Sequence, residues 1–189
     1  MNTKLLLIIA FSALYGIFEL FMSRQQQYNR EISKSGDKGS IWLLTISITI
    51  GYWLSFIVAA TKMGRVYYWN TFFIIGSCLV ITGLIIRVTS ILKLKQQFTY
   101  TVTEIENHEL IETGLYKIIR HPGYLGQLII FLGTSTCLSN WLSIIIMIIP
   151  VLLGYLNRIN VEEKFMTEQM GQKYLDYQKR TKRLIPKIY

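Results

Sequence analysis

"HPGYLGQLIIFLGTSTCLSNWLSIIIMIIPVLLGYLN" occupies residues 121–157 and holds no Asp, Glu, Lys or Arg. One membrane crossing takes about 20 apolar residues. These 37 residues are too many for one crossing and slightly few for two. Ser139, Asn140 and Trp141 lie near the middle and supply the natural turn. The stretch therefore reads as a tight helical hairpin, with Pro150 kinking its second arm. The fold class that follows is all-α, inside a membrane.

The chain on either side supports this. Residues 5–22 are apolar apart from Glu19, with Lys4 at their start. That pattern imitates a signal peptide, but no small-residue cleavage site follows, only Ser23, Arg24 and a run of Gln. Residues 5–22 are read as a first span, 41–60 as a second and 72–92, which contain Arg87, as a third. With arms over 124–139 and 141–157 the expectation is a polytopic protein of five transmembrane helices in one domain, 1–189. Hydrophobic residues make up 51% of the chain and charged residues only 16%, well under the usual quarter. A soluble fold is excluded on that balance.

The net charge of +9 follows from topology rather than from nucleic-acid binding, because Lys and Arg collect in cytoplasmic loops. Arg24, Arg30, Lys34 and Lys38 fall in one loop; Lys93, Lys95, Lys117 and Arg120 in another; the tail is the most basic part. The opposite side has only Lys4, Lys62 and Arg65. The N-terminus is therefore expected outside and the C-terminus in the cytoplasm. Tyr67, Tyr68, Trp69 and Trp141 then form the outer aromatic belt. Glu19 and Arg87 fall near cytoplasmic span ends, where snorkelling accounts for them; an Arg87 turned inward is the alternative. Cys78 and Cys137 lie in apolar segments without a CxxC or Cys/His cluster, so no metal is expected. They are read as packing residues, with a bridge between them left open.

Two polar segments remain, about 93–123 and 158–189. Both histidines, His108 and His121, fall in the first, with Tyr116 and Tyr124 close by. Pro122 alone is explained as a first-turn helix residue. The crowding of Arg120, His121, Gly123 and Tyr124 at a membrane boundary is not, and it points to a site. In "NRINVEEKF", residues 157–165, Arg158 and Glu162 are four apart and share a helical face. Alone they are a surface pair worth a few tenths of a kcal/mol. The hairpin, however, begins after Arg120 and returns at Arg158, which places both clusters at one membrane face.

"QFTYTV" (97–102), "HELIETGLYKIIRHPGYLG" (108–126), "RINVEE" (158–163), "GQKYLDYQKR" (171–180) and "RLIP" (183–186) together resemble the isoprenylcysteine carboxyl methyltransferase family, within the group that includes phospholipid methyltransferases. The resemblance covers about the last hundred residues. It implies a cytoplasmic cofactor-binding region for S-adenosylmethionine. By position, the cofactor contacts it implies are His108, Glu109, Leu110, Ile111, Tyr116, His121, Pro122, Gly123, Tyr124 and Glu162. The resemblance also implies that Arg158 faces the substrate and that Arg158 and Glu162 carry catalysis. Thr103 stands where relatives place a Gln, at a shorter interval. The chain resembles the compact prokaryotic form, expected in a plasma membrane.

The resemblance implies methyl transfer to a lipophilic acceptor drawn from the bilayer, first of all the carboxylate of an isoprenylcysteine-type compound. A phospholipid amine or a lipophilic hydroxyl is the alternative acceptor and would need a base, His121 or Glu163. An NADPH-dependent sterol-type reductase shares a related Arg-His-Pro region and ranks lower. A transporter or scaffold is the non-enzymatic reading, disfavoured because few polar residues fall at mid-bilayer.

Overall fold

The computed structural model describes residues 3–28, 39–94 and 110–189. These form six α-helices: α1 (Thr3–Tyr28), α2 (Ser40–Ala60), α3 (Trp69–Leu94), α4 (Pro122–Cys137), α5 (Trp141–Met170) and α6 (Gln172–Arg180). One 3-10 turn, Gly114–Lys117, precedes α4. Among the described residues no strand occurs beyond two isolated bridges. The all-α expectation holds. Four helices are long and apolar enough to cross a membrane: Thr3–Met22, Ser40–Ala60, Trp69–Leu94 and Trp141–Met170. The other expected arm is α4, whose 16 residues measure about 24 Å along the axis.

Local chemistry sets the ends of α4 and α5. Pro122 occupies the first turn of α4, where its missing N–H costs nothing. The turn falls at 138–140, and Asn140 caps α5 by accepting from the Ser143 N–H at 3.0 Å. The same Asn140 donates to the Met63 carbonyl at 2.7 Å, which ties the turn to the α2–α3 connection. Pro150 lies inside α5 without interrupting it. Beyond Arg158 the chain stays helical with one break: α5 ends at Met170, Gly171 takes φ +54°, and α6 starts afresh.

Packing is by small residues, as membrane interfaces require. α3 and α4 meet along Gly76, Gly83, Gly126 and Gly133. A Cβ on Gly83 would stand 2.6 Å from the Gly126 carbonyl, and one on Gly133 would stand 2.6 Å from the Gly76 carbonyl. α2 and α5 are joined by a reciprocal pair: Ser55 Oγ donates to the Ser143 carbonyl and Ser143 Oγ to the Ser55 carbonyl, each at 2.9 Å. Phe131, Met147, Val151 and Tyr155 form the buried cluster between α4 and α5. Cys137 is buried and Cys78 exposed, and both are free thiols; there is no bridge between them.

Arg87 does not snorkel. It is 2% exposed and makes a two-pronged pair with Glu19 of α1, Nε to Oε1 at 3.1 Å and Nη2 to Oε2 at 3.0 Å. Tyr15 Oη also donates to Glu19 Oε1 at 2.7 Å. The guanidinium faces inward, because a Cβ on Gly123 would stand 3.0 Å from its Nη1. Arg87→Ala leaves Glu19 without that partner and is expected to lower stability by about 3–5 kcal/mol. Chemical unfolding in detergent measures this, and Glu19→Gln/Arg87→Gln is expected to recover most of the loss.

Candidate functional site

α4 and α5 bring the two sequence clusters together at one end of the bundle. The Tyr124 hydroxyl, in the first turn of α4, donates to Glu162 Oε2 at 2.7 Å and accepts from Arg158 Nε at 3.5 Å. Arg158 and Glu162 share a face of α5, as their spacing predicts, and Tyr124 links them across the gap between the helices. Arg158 Nη1 also donates to Ser40 Oγ at 2.7 Å, so the start of α2 reaches the site as well. Arg158 is 2% exposed, whereas the Glu162 side chain is 32% exposed.

His121 stacks on Tyr124, with centroids 5.5 Å apart and planes within 7°. Tyr124 in turn lies 5.1 Å from the ring of Tyr155, whose hydroxyl donates to Gln127 at 2.7 Å. His121 Nε2 lies 3.2 Å from Glu163 Oε1. A carboxylate only accepts, so the facing ring nitrogen carries the proton. Nδ1, on the other side of the ring, lies 3.8 Å from Glu162 Oε2. The imidazole is therefore bracketed by the two adjacent glutamates.

Glu163 is the residue that sequence reading undervalued. It is 4% exposed. Arg120 Nε donates to its Oε1 at 2.6 Å and Arg183 Nε to its Oε2 at 2.9 Å. Arg120 Nη1 also donates to the Thr181 carbonyl at 2.5 Å. The signal was visible only as a second glutamate beside Glu162; Arg120 and Arg183 stand 43 and 20 residues away, and no spacing rule pairs residues so far apart.

Tyr116 is buried in the 3-10 turn, its hydroxyl 3.5 Å from the Ser90 carbonyl. Burial raises its pKa, and the nearby Glu162 charge raises it further, so it stays a neutral phenol beside the site. Tyr177 of α6, likewise raised by burial, donates to the Tyr116 carbonyl at 2.6 Å. Pro122 and Gly123 are buried at the start of α4, and Leu110 and Ile111 are partly buried just before the turn. His108, Glu109, Thr103 and residues 97–102 lie outside the described residues.

The arrangement offers a carboxylate and stacked aromatic faces to a cation, beside a buried guanidinium suited to an anion. A family model described as phospholipid methyltransferase matches residues 71–173. The chain is 34% identical over 113 residues to protein-S-isoprenylcysteine O-methyltransferase B of Arabidopsis thaliana, covering 59% of this chain and 57% of that one. It is 35% identical over 117 residues to protein-S-isoprenylcysteine O-methyltransferase of Saccharomyces cerevisiae, covering 61% and 49%. The chain thus spans about half the length of these curated relatives. Among solved structures it is similar to the eukaryotic intramembrane Ras methyltransferase, an isoprenylcysteine carboxyl methyltransferase. The TM-score is 0.62 at 29% identity, over 76% of this chain and 52% of that one.

Proposed function

Because the chain belongs to the phospholipid methyltransferase family, we propose that it is a membrane methyltransferase that uses S-adenosylmethionine and acts on a lipophilic acceptor, the carboxylate of an isoprenylcysteine-type compound. The observation that carries this is the convergence of His121, Tyr124, Arg158 and Glu162 on one end of the bundle. In this reading α4 is a fifth, short membrane helix and forms a hairpin with α5. The site end faces the cytoplasm and the N-terminus lies outside, as the distribution of Lys and Arg requires.

The donor set fits a cationic cofactor. Glu162 is a partly exposed carboxylate, and the His121 and Tyr124 rings offer faces to positive charge. Tyr116, Pro122 and Gly123 line the same end, with Leu110 and Ile111 leading in. His108 and Glu109 are proposed as further contacts from the sequence resemblance. When bound, S-adenosylmethionine supplies a methyl group on a sulfonium sulfur. Arg158 orients the acceptor carboxylate through the two-pronged match of guanidinium and carboxylate. The acceptor oxygen is already ionised at neutral pH, so the residues need only align it with the methyl carbon and exclude water.

The carboxylate reading is favoured over an amine or hydroxyl by the state of Glu163. An amine or hydroxyl needs a base, and both oxygens of Glu163 are engaged by Arg120, His121 and Arg183. His121 is held by its proton-bearing nitrogen to the same carboxylate, so it is fixed in place with only Nδ1, on the Glu162 side, left as an acceptor. A carboxylate acceptor makes no such demand.

Calorimetric titration of the purified protein with S-adenosylmethionine is the test. Binding is expected in the wild type and lost in His121→Ala and in Glu162→Ala. A wild type that does not bind, or two variants that bind undiminished, would sink the assignment. Incubation with methyl-labelled cofactor and a membrane lipid extract, followed by mass spectrometry, then identifies the acceptor.

A further inference from the structure

The segment after α6 does more than end the chain. Residues 181–184 run beside residues 118–121 and are bonded to them in alternation. The Lys182 N–H donates to the Ile118 carbonyl at 3.2 Å, the Arg120 N–H to the Lys182 carbonyl at 2.7 Å, and the His121 N–H to the Arg183 carbonyl at 3.1 Å. Side chains repeat the connection. Arg120 Nη1 reaches the carbonyls of Gln178 and Thr181 at 3.2 and 2.5 Å. Arg183 Nε reaches Glu163 Oε2 at 2.9 Å. Thr181 and Leu184 are buried, so the segment is packed down along its length.

Glu163 is where these contacts meet. Its Oε1 takes Arg120 and the His121 ring, and its Oε2 takes Arg183. The His121 ring would otherwise turn about its side-chain bonds. The Nε2 contact to Glu163 fixes the ring plane, and the stacked Tyr124 ring fixes its tilt. Tyr124 then presents its hydroxyl to Glu162 and Arg158. A displacement of Arg183 therefore passes through Glu163 to His121 and on to the groups that face cofactor and acceptor. The family match at residues 71–173 stops short of Arg183.

We infer that Arg183 and Glu163 are positioning residues: the C-terminal segment clamps Glu163, and Glu163 sets the orientation of His121 for cofactor binding. The inference rests on the methyltransferase reading above. Arg183 is the residue to change, because its side chain is 31% exposed and its replacement leaves no buried cavity. Glu163 retains Arg120 and His121 in Arg183→Ala, so the carboxylate is not left unpaired.

The test is calorimetric titration of the full chain in detergent with S-adenosylmethionine, for wild type, Arg183→Ala and Arg183→Lys, with thermal unfolding of each. A purely structural contact lowers the fraction of folded protein, which reduces the fitted stoichiometry but leaves the dissociation constant of the folded molecules unchanged. A positioning contact moves the dissociation constant itself. Arg183→Ala is expected to weaken binding about tenfold, within the range usual for coupling between sites, at nearly unchanged stoichiometry. Arg183→Lys is expected to recover most of that loss, since Arg183 reaches Glu163 by one contact that an ammonium can also make. Glu163→Gln, which keeps the shape and removes the charge, is expected to weaken binding at least as much. Wild-type binding together with an unchanged dissociation constant in Arg183→Ala overturns the positioning role and leaves the methyltransferase reading standing. Failure of the wild type to bind overturns both.

Discussion

Gly126→Leu is expected to yield no folded protein. A Cβ at this position would stand 2.8 Å from the Arg87 amide nitrogen, 2.8 Å from the Gly83 carbonyl oxygen and 3.1 Å from the Arg87 Cα. All three are backbone atoms of α3, so no side-chain rotation relieves the contact. Only separation of α3 from α4 does, and that also opens the Gly76–Gly133 approach further along the same pair. Gly126→Ala is expected to cost about 3 kcal/mol or more, at or above the upper end of ordinary overpacking. Size-exclusion chromatography in detergent and chemical unfolding measure both. Gly16→Ala is the control: no atom beyond its chain neighbours and the adjacent backbone of α1 lies within 4 Å of a Cβ there, and the change is expected to be neutral or to stabilise α1 by about 0.5–1 kcal/mol. Equal behaviour of the two alanine variants would refute the close-approach account.

Arg158→Ala is expected to reduce methyl transfer by on the order of a hundredfold or more, the scale lost when reacting groups are misaligned. Cofactor affinity is expected to change only a few-fold. The separation follows from geometry. Arg158 touches Tyr124 and Ser40; of the described groups assigned to the cofactor only Tyr124 bonds it, and Tyr124 keeps its bond to Glu162 without it. Glu162 keeps its bond from Tyr124 and His121 keeps Glu163. Arg158→Lys is expected to restore little, because an ammonium cannot make the two-pronged contact. Single-turnover transfer of labelled methyl at saturating cofactor separates the two effects. A variant that loses binding and turnover in step would assign Arg158 to the cofactor instead.

Much of this was legible in the sequence because membrane helices announce themselves through composition. The apolar run 121–157, the turn near Asn140 and the start at Pro122 all rest on local rules, and all appear. The pairing of His121 with the Arg158–Glu162 face was also legible, since a chain that leaves and returns at one membrane face must bring its two ends together. What could not be read was pairing at long range. Arg87 at a span end looks like any snorkelling residue until Glu19 of α1 is placed beside it. Glu163 looks like the spare member of a Glu pair until Arg183 folds back onto it. The four glycines of α3 and α4 are each unremarkable alone and acquire meaning only when two helices are set side by side.

α5 carries one more consequence. It runs unbroken from Trp141 to Met170, and its apolar part, residues 141–157, measures about 25 Å at ~1.5 Å per residue. One continuous helical rod, long and apolar enough to cross a bilayer, therefore bears Arg158, Glu162 and Glu163 just beyond its apolar part. The height of the site above the hydrocarbon is fixed by that rod and cannot be adjusted by a loop. Under the proposed function, bilayer thickness becomes a variable of the chemistry: longer acyl chains are expected to submerge the arginine and shorter ones to lift it away from a lipid-borne acceptor.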